Sequence, residues 1–441
     1  MRARQARISY RRHILALFGK GVHPKGNKSR TSGAAVGVCP APRAAYVPLA
    51  QHIGAPAVPA VEAGERVLRG QLLAKKAEGI SANVYSPVAG VVKGVVGHIA
   101  GGGKKVDHIL IESDGTDESV SLPPLSEITP ESVLARIEEA GIVGMGGAGF
   151  PTAAKLNVNG RADILVVNGA ECEPYITCDE RIMLEYADEL LQGIRRCMLA
   201  CGAKSAVIGI EKNKPEAISL LSAKCGEGIS VRALRTRYPQ GAEKQLICGC
   251  TGRVVPEGKL PIDAGVVVVN VHTALSVYRA VDLNIPCYER VMTVSGGAAK
   301  KPGNFWVRNG TPLRELAAFC EADENCARIV SGGPMMGEPV FSLKVCTTKT
   351  SSSLLFLDAG ECESKVASVC IGCGRCIQAC PMGLSPTFIE DALFRKDYAE
   401  AKRYGAPSCI GCGCCSYVCP AKRFLAQSVK LAKKIIRERN I

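Results

Sequence analysis

The chain contains no run of about 18 uninterrupted apolar residues, the length a helix needs to cross a bilayer. The longest candidate, residues 264–275, is broken by Asn270 and His272, so no spanning helix is expected. The stretch before Tyr10 lacks the apolar core of a secretory signal, and export is not expected either. Aromatic residues are scarce at 5%, with one Trp, and no basic stripe interleaves with them, which argues against nucleic acid as a partner. Acid is absent from residues 1–61, which carry ten basic residues, from Arg2, Arg4, Arg7, Arg11 and Arg12 to Arg43. Residues 422–441 hold seven basic residues against Glu438 alone, so the net charge of +14 resides in the termini. Basic ends of this kind suit an anionic membrane surface or an acidic partner, at about 1 kcal/mol per charge near lipid.

What is present is a folded, multidomain composition. With 441 residues, 47% apolar and 22% charged, the chain is long enough for about two to four domains of roughly 100–200 residues each. It also carries 22 cysteines. In an unexported chain, that number argues for metal ligation in a reducing compartment rather than a disulfide framework.

Eight cysteines fall in two copies of one pattern. Cys370-Ile-Gly-Cys373-Gly-Arg-Cys376-Ile-Gln-Ala-Cys380-Pro381 reads C-x2-C-x2-C-x3-C-P, and Cys409-Ile-Gly-Cys412-Gly-Cys-Cys415-Ser-Tyr-Val-Cys419-Pro420 repeats it. In this bacterial ferredoxin signature three closely spaced thiolates bind one 4Fe-4S cubane and the fourth reaches across to the other. One cluster is therefore assigned to Cys370, Cys373, Cys376 and Cys419, and the second to Cys409, Cys412, Cys415 and Cys380. Gly372, Gly374, Gly411 and Gly413 let the backbone wrap the sulfurs closely. Zinc ribbons instead use two C-x2-C pairs about 15–20 residues apart. Cys414 is surplus to the pattern, and the other non-motif cysteines read as small buried residues. Residues 386–404 have helical spacing and form an expected insert between the motifs. Two cubanes in one small domain are close enough to relay single electrons.

Gly144-Met-Gly146-Gly147-Ala-Gly149 matches G-x-G-x-x-G, but a Rossmann turn needs a strand before its glycines. Residues 129–140 read instead as a capped amphipathic helix with Pro130 in its first turn. The loop leads into Pro151-Thr-Ala-Ala-Lys155 and suits a phosphate or flavin face as well as it suits a mere tight turn. Beyond it, strands are predicted at 164–168, 206–210, 231–235 and 265–270. Helices are predicted at 179–199, 215–224, 240–248 and 273–281. The alternation predicts an α/β domain with a largely parallel sheet, whose ligands sit at the strand C-terminal ends. Asn168 with Glu171 and Glu173, Gly241 with Glu243, and Asn270 with His272 and Thr273 cluster at such ends. Each one singly suits a loop cap or a solvated carboxylate; their shared position favours a site.

These residues resemble a known family. Residues 141–155, Val167-Asn-Gly-Ala-Glu-Cys-Glu-Pro-Tyr175, Tyr238-Pro-Gln-Gly-Ala-Glu-Lys-Gln-Leu246 and the two cysteine motifs are similar to the C subunit of the bacterial Rnf complex, an ion-translocating ferredoxin:NAD oxidoreductase. The resemblance runs from about Phe18 to the end of the second cysteine motif. It implies a middle domain that binds FMN noncovalently and exchanges hydride with NADH, as in the flavin subunit of respiratory NADH dehydrogenase. By position, Gly144, Gly146, Gly147, Gly149 and Lys155 would meet FMN. Asn168, Glu171, Gly241, Glu243, Asn270 and Thr273 would line it, while Phe150 and Glu173 would face the nicotinamide nucleotide. The respiratory subunit has Arg where this chain has Met145, so that contact does not transfer.

The expected architecture is α/β and multidomain. Residues 1–125 would form a basic arm and a biotinyl/lipoyl-like barrel sandwich, and 126–285 the Rossmann-like FMN- and NADH-binding domain. A soluble-ligand-binding β-grasp with linker would occupy 286–360, and a bacterial ferredoxin-like domain with two 4Fe-4S clusters 361–423. Residues 424–441 would form a basic amphipathic helix, either solvated or anchoring on a surface or subunit. The barrel sandwich shows no modifiable Lys at a hairpin tip, which favours assembly over a carrier role. The implied function is peripheral electron transfer on the cytoplasmic side of the cell membrane: NADH to FMN to the two cubanes and on to membrane-spanning partner subunits, or the reverse, with ferredoxin reached through those partners. No side chain is expected to act as acid or base, and ion pumping would lie in other subunits. Two alternatives are an FMN and iron–sulfur cobalamin reductase, and an electron-wiring subunit without flavin.

Overall fold

A computed structural model describes residues 20–362 and 366–441. The arginines at positions 2–12 lie outside the described residues. Among those described, no helix is long and apolar enough to cross a membrane.

The barrel sandwich consists of two small sheets. Strands Ala44–Pro48, Lys105–Ser113, Gly90–Ile99 and Arg66–Val67 form one; Val58–Pro59, Leu72–Lys75 and Val84–Tyr85 form the other. Alternation sends Ala45, Val47, Ile109 and Ile111 inward, where they meet Leu73 and Val84 across the core.

The middle domain carries a four-stranded, wholly parallel sheet in the order Ile229–Leu234, Ser205–Glu211, Ile164–Gly169, Val266–Asn270. Helices cover both faces, so the strands are continuous apolar runs; Val266, Val267, Val268 and Val269 are all buried. The chain order reverses between Ile164–Gly169 and Val266–Asn270, which makes that crevice the topological switch point.

Two predicted helices differ from the structure. The 179–199 segment is two helices, Cys178–Glu185 and Ala187–Cys201, because Tyr186 leaves the helical region (φ −122°, ψ 37°). Its hydroxyl there accepts a 2.8 Å hydrogen bond from Trp306 Nε1. The helix expected at 240–248 begins later, at Glu243. Turns closed by Gln240 N to Arg237 O (2.8 Å) and Ala242 N to Pro239 O (3.1 Å) occupy the residues before it.

A six-stranded mixed sheet follows, ordered Gly37–Val38, Gly303–Arg308, Glu289–Ser295, Ser353–Leu357, Arg328–Ser331, Glu338–Pro339, with helix Leu313–Phe319 packed on it. Its first edge strand comes from the N-terminal segment and pairs with Gly303–Arg308.

The cysteine-rich domain is helical. Residues 386–404 form two helices, Pro386–Phe394 and Tyr398–Arg403; Lys396 at φ +61° turns the chain and Asp397 caps the second through Glu400 N (2.9 Å). The C-terminal helix Leu425–Glu438 is neither solvated all round nor free to anchor by its apolar face. Val429, Ala432 and Ile436 are buried against Ile389, Leu393, Ala401 and Ala406.

Candidate functional site

The predicted polar residues converge at the switch point. Asn168, one residue before the end of its strand, and Asn270, which ends the adjacent parallel strand, are register partners. Asn270 caps helix Val271–Val281 by accepting from His272 N (2.8 Å), and its amide donates to Asp179 (2.7 Å). Asn168 donates to Gly241 O (3.0 Å) and accepts from Ala170 N (3.2 Å). Strand Ile164–Gly169 and the 238–243 turn are thereby tied together.

The glycine loop lies over this pair. Met145 N donates to Thr273 Oγ1 (3.0 Å), while Gly146 abuts Asn270 so closely that a methyl there would come within 2.8 Å of its Cβ. Gly149, at φ +72°, has no room for a side chain beside Thr350. A methyl on Gly147 would meet nothing within 4 Å, so the exposed crest of the loop is flat and open. Gly144 N closes the loop on Phe150 O (2.9 Å). The Met145 side chain points into the core, against Ser276.

Three other parts of the chain clamp the loop. Ile53 N of the barrel sandwich donates to Gly149 O (3.2 Å). Arg290, buried in the six-stranded sheet, donates to Met145 O (3.1 Å) and Lys349 O (2.8 Å). Buried Lys349 donates to Gly141 O (2.7 Å) and to Asn83 O of the barrel sandwich.

Lys155 and Glu243 pair at 2.8 Å, partly exposed. Deeper in, the Glu171 side chain is only 3% exposed, accepts from Asp179 N (2.6 Å) and lies 3.7 Å from Lys28 Nζ. Glu173 accepts from Met335 N (3.1 Å). Burial pushes both carboxyls up to about 7, against the pull of Lys28. Glu171 Oε2 and Glu173 Oε1 are buried without a hydrogen-bond partner.

A loop crest free of side chains, lying over Asn270 at the strand ends, fits a planar, hydrogen-bonding group such as a flavin. A metal ion between Glu171, Cys178 and Asp179, whose ligand atoms lie within 4.8 Å of one another, is not required. Lys28 and Asn270 already serve the two carboxylates. Phe150 stands half-buried at the end of the loop, whereas Glu173 is turned towards the Gly333–Met335 segment.

The cysteines fall in two neighbouring groups, with Cys415 packed against both. Cys380 lines one cavity together with Cys409, Cys412 and Cys415. Cys376 and Cys419 share a separate buried cluster. Cys370 and Cys373 are exposed on the loop before helix Arg375–Ala379, with Cys370 Sγ 3.6 Å from Thr387 Oγ1. Backbone N–H groups of Leu384 and Gly411 donate to Cys380 Sγ (3.4 Å) and Cys409 Sγ (3.3 Å). Cys414 is fully buried, and its hydrogen bond with Cys412 lowers the Cys412 thiol below its ordinary value.

The second cysteine loop adjoins the switch point. Tyr238, three residues before Gly241, donates through its buried hydroxyl to Cys412 O (2.8 Å). Gly413 lies close under Met335 O, whose residue also holds Glu173, and Tyr238, Cys172, Met335, Cys412 and Cys414 form one apolar cluster.

Sequence reasoning missed Lys28, Asp179, Arg290 and Lys349. Each acts through sequence-distant backbone or a buried carboxylate, and none belongs to a spaced motif.

Three known families match the chain: "RnfC Barrel sandwich hybrid domain" over residues 16–116, "Nuo51 FMN-binding domain" over 137–279, and "4Fe-4S dicluster domain" over 363–420. The C subunit of the "Proton-translocating ferredoxin:NAD(+) oxidoreductase complex" of Clostridium ljungdahlii is 43% identical over 88% of this chain and 87% of that protein. The C subunit of the "Ion-translocating oxidoreductase complex" of Rhodobacter capsulatus is 42% identical over 97% and 85%. The C subunit of the "Na(+)-translocating ferredoxin:NAD(+) oxidoreductase complex" of Acetobacterium woodii is 38% identical over 95% and 97%.

Proposed function

Because the chain belongs to the family of C subunits of the ion-translocating ferredoxin:NAD(+) oxidoreductase complexes, we propose that it is the subunit that exchanges electrons with NAD(H) and relays them singly. It works within a membrane-bound complex, beside other subunits that cross the bilayer. Its own association is peripheral, and we place it on the cytoplasmic side, where NADH is available. When bound, FMN exchanges a hydride with NADH and single electrons with iron–sulfur clusters, and the two 4Fe-4S clusters carry one electron each.

The residues divide the work. Asn168, Asn270 and Thr273 fix the glycine loop and the strand ends, so that Gly144, Gly146, Gly147 and Gly149 present bare backbone to the flavin. Glu171, Gly241, Glu243 and Lys155 line its edges, Phe150 faces the nicotinamide, and Glu173 holds the Met335 backbone. Cys409, Cys412, Cys415 and Cys380 hold the cluster nearer the flavin. Cys370, Cys373, Cys376 and Cys419 hold the outer one, whose exposed ligands face a partner subunit. Either direction of flow uses the same order.

The observation that carries this reading is the register pair Asn168–Asn270 beneath the glycine loop, joined by Tyr238 to the Cys412 loop. Anaerobic purification with iron and flavin analysis tests it. The expected result is eight irons, a noncovalent yellow chromophore and its bleaching by NADH. Eight irons without a chromophore would support a wiring subunit and defeat the proposal.

A further inference from the structure

The basic C-terminal helix is not explained by packing alone. Its buried stripe Leu425, Val429, Ala432 and Ile436 faces the cysteine-rich core. Lys430 and Lys433 follow Val429 and Ala432 by one position each, one turn apart, and therefore flank that stripe on a single side. Both reach the second cysteine loop. Lys433 Nζ donates to Cys409 O at 2.7 Å. Lys430 lies across Gly411, where a methyl would come within 2.6 Å of its Cε and 3.5 Å of its Nζ. Gly411 also has φ +70°, so two constraints keep that position free of a side chain and leave room for the lysine stem.

No acidic side chain pairs with either ammonium among the described residues, whereas neighbouring Lys434 faces Glu438 at 3.8 Å. The other cluster site differs. Of its nearby cations, Arg423 is neutralised by Glu390 at 2.7 Å and Arg375 is exposed, and its ligands Cys370 and Cys373 are open to water. The two sites thus repeat one cysteine pattern in unequal electrostatic surroundings.

A cubane held by four thiolates is anionic and gains one further unit of negative charge on taking up an electron. Unpaired cations beside it stabilise the reduced state more than the oxidised one; both lysines are exposed, so it is their closeness to the Cys409–Gly411 backbone that carries the effect, and salt weakens it. We propose that Lys430 and Lys433 tune the cluster of Cys409, Cys412, Cys415 and Cys380, raising its reduction potential so that an electron delivered at the flavin side rests there before moving outward. The inference rests on the crossed cluster assignment. It gives the helix a redox role in place of a lipid or partner anchor.

An EPR-monitored redox titration of the intact chain with both cubanes tests it. The second cluster's signal is identified as the one lost when Cys409, Cys412 and Cys415 are replaced by Ser. Lys430→Gln removes a charge without removing a hydrogen bond of the folded chain. It is expected to lower the midpoint of the second cluster and leave the first unchanged, and adding Lys433→Gln lowers it further. Lys430→Arg keeps the parental value, which a purely steric role for the side chain would not give. An unshifted second midpoint in a Lys430→Gln chain with full iron overturns the inference alone, as does an equal shift of both clusters. Absence of a second cubane in the parent chain overturns the cluster assignment and the inference together.

Discussion

Glu171 and Glu173 bear an electrostatic cost at the site, because burial holds both carboxyls up near 7 instead of the ordinary 4.5. A carboxyl raised in the folded state favours folding while protonated. That stability is fully present below about 4.5 and is lost as pH climbs through about 7. Thermal unfolding of the cofactor-free chain should therefore show Tm falling over this window, and Glu171→Gln should flatten the fall; an unchanged profile contradicts the burial of these carboxyls. The glycines separate in the same way. Gly146→Ala collides with Asn270 and should lower both Tm and flavin retention. Gly147→Ala meets nothing in the protein, so Tm should hold while flavin affinity drops roughly tenfold, about 1.4 kcal/mol. A flavin affinity untouched by Gly147→Ala would move the flavin off the loop crest. The glycine loop, Asn168 and Asn270 were legible because a motif or a strand end marks them. Lys28, Arg290 and Lys349 were not, since a lone basic residue carries no sign of the distant carbonyl or carboxylate it will meet.

At the scale of elements, periodicity and punctuation set what could be read. Pro215–Lys224 was predicted to the residue because Pro215 starts it and its apolar spacing is regular. The 179–199 segment kept helical spacing through Tyr186, and only the partner ring of Trp306, distant in sequence, explains the break. The cysteine motifs imply a crossed pairing that ligand replacement tests. Replacing Cys409, Cys412 and Cys415 by Ser should leave one cubane; adding Cys380→Ser should change nothing more, while adding Cys419→Ser should degrade the remaining cluster. Iron counts showing the reverse would mean that each motif closes on its own fourth cysteine. The C-terminal helix supports the second cavity through Val429, which lines it, and is held on the domain by buried Ile436. Ile436→Ala should cost about 2–5 kcal/mol by leaving a void under the helix. Denaturation followed at the cluster absorbance reads this directly.

For the whole molecule, alternating strands and helices made the parallel sheet and the ligand-bearing strand ends legible, while the strand order that makes a switch point was not. The joining of domains was not legible. Strand Gly37–Val38 crosses into the six-stranded sheet, and Lys349 and Arg290 tie that sheet to the barrel sandwich and the glycine loop. The barrel sandwich thus acts as a clamp on the flavin side, and the six-stranded sheet places Met335 between Glu173 and the second cysteine loop. The central claim is that nicotinamide chemistry and a one-electron relay are joined inside this one polypeptide. The most direct test reduces the cofactor-loaded chain, removes the reductant, adds NAD(+), and follows cubane EPR together with NADH absorbance. The expected result is NADH appearing as both cubane signals fall, one NADH for each pair of electrons withdrawn. Cubanes that stay reduced while no NADH forms would contradict it.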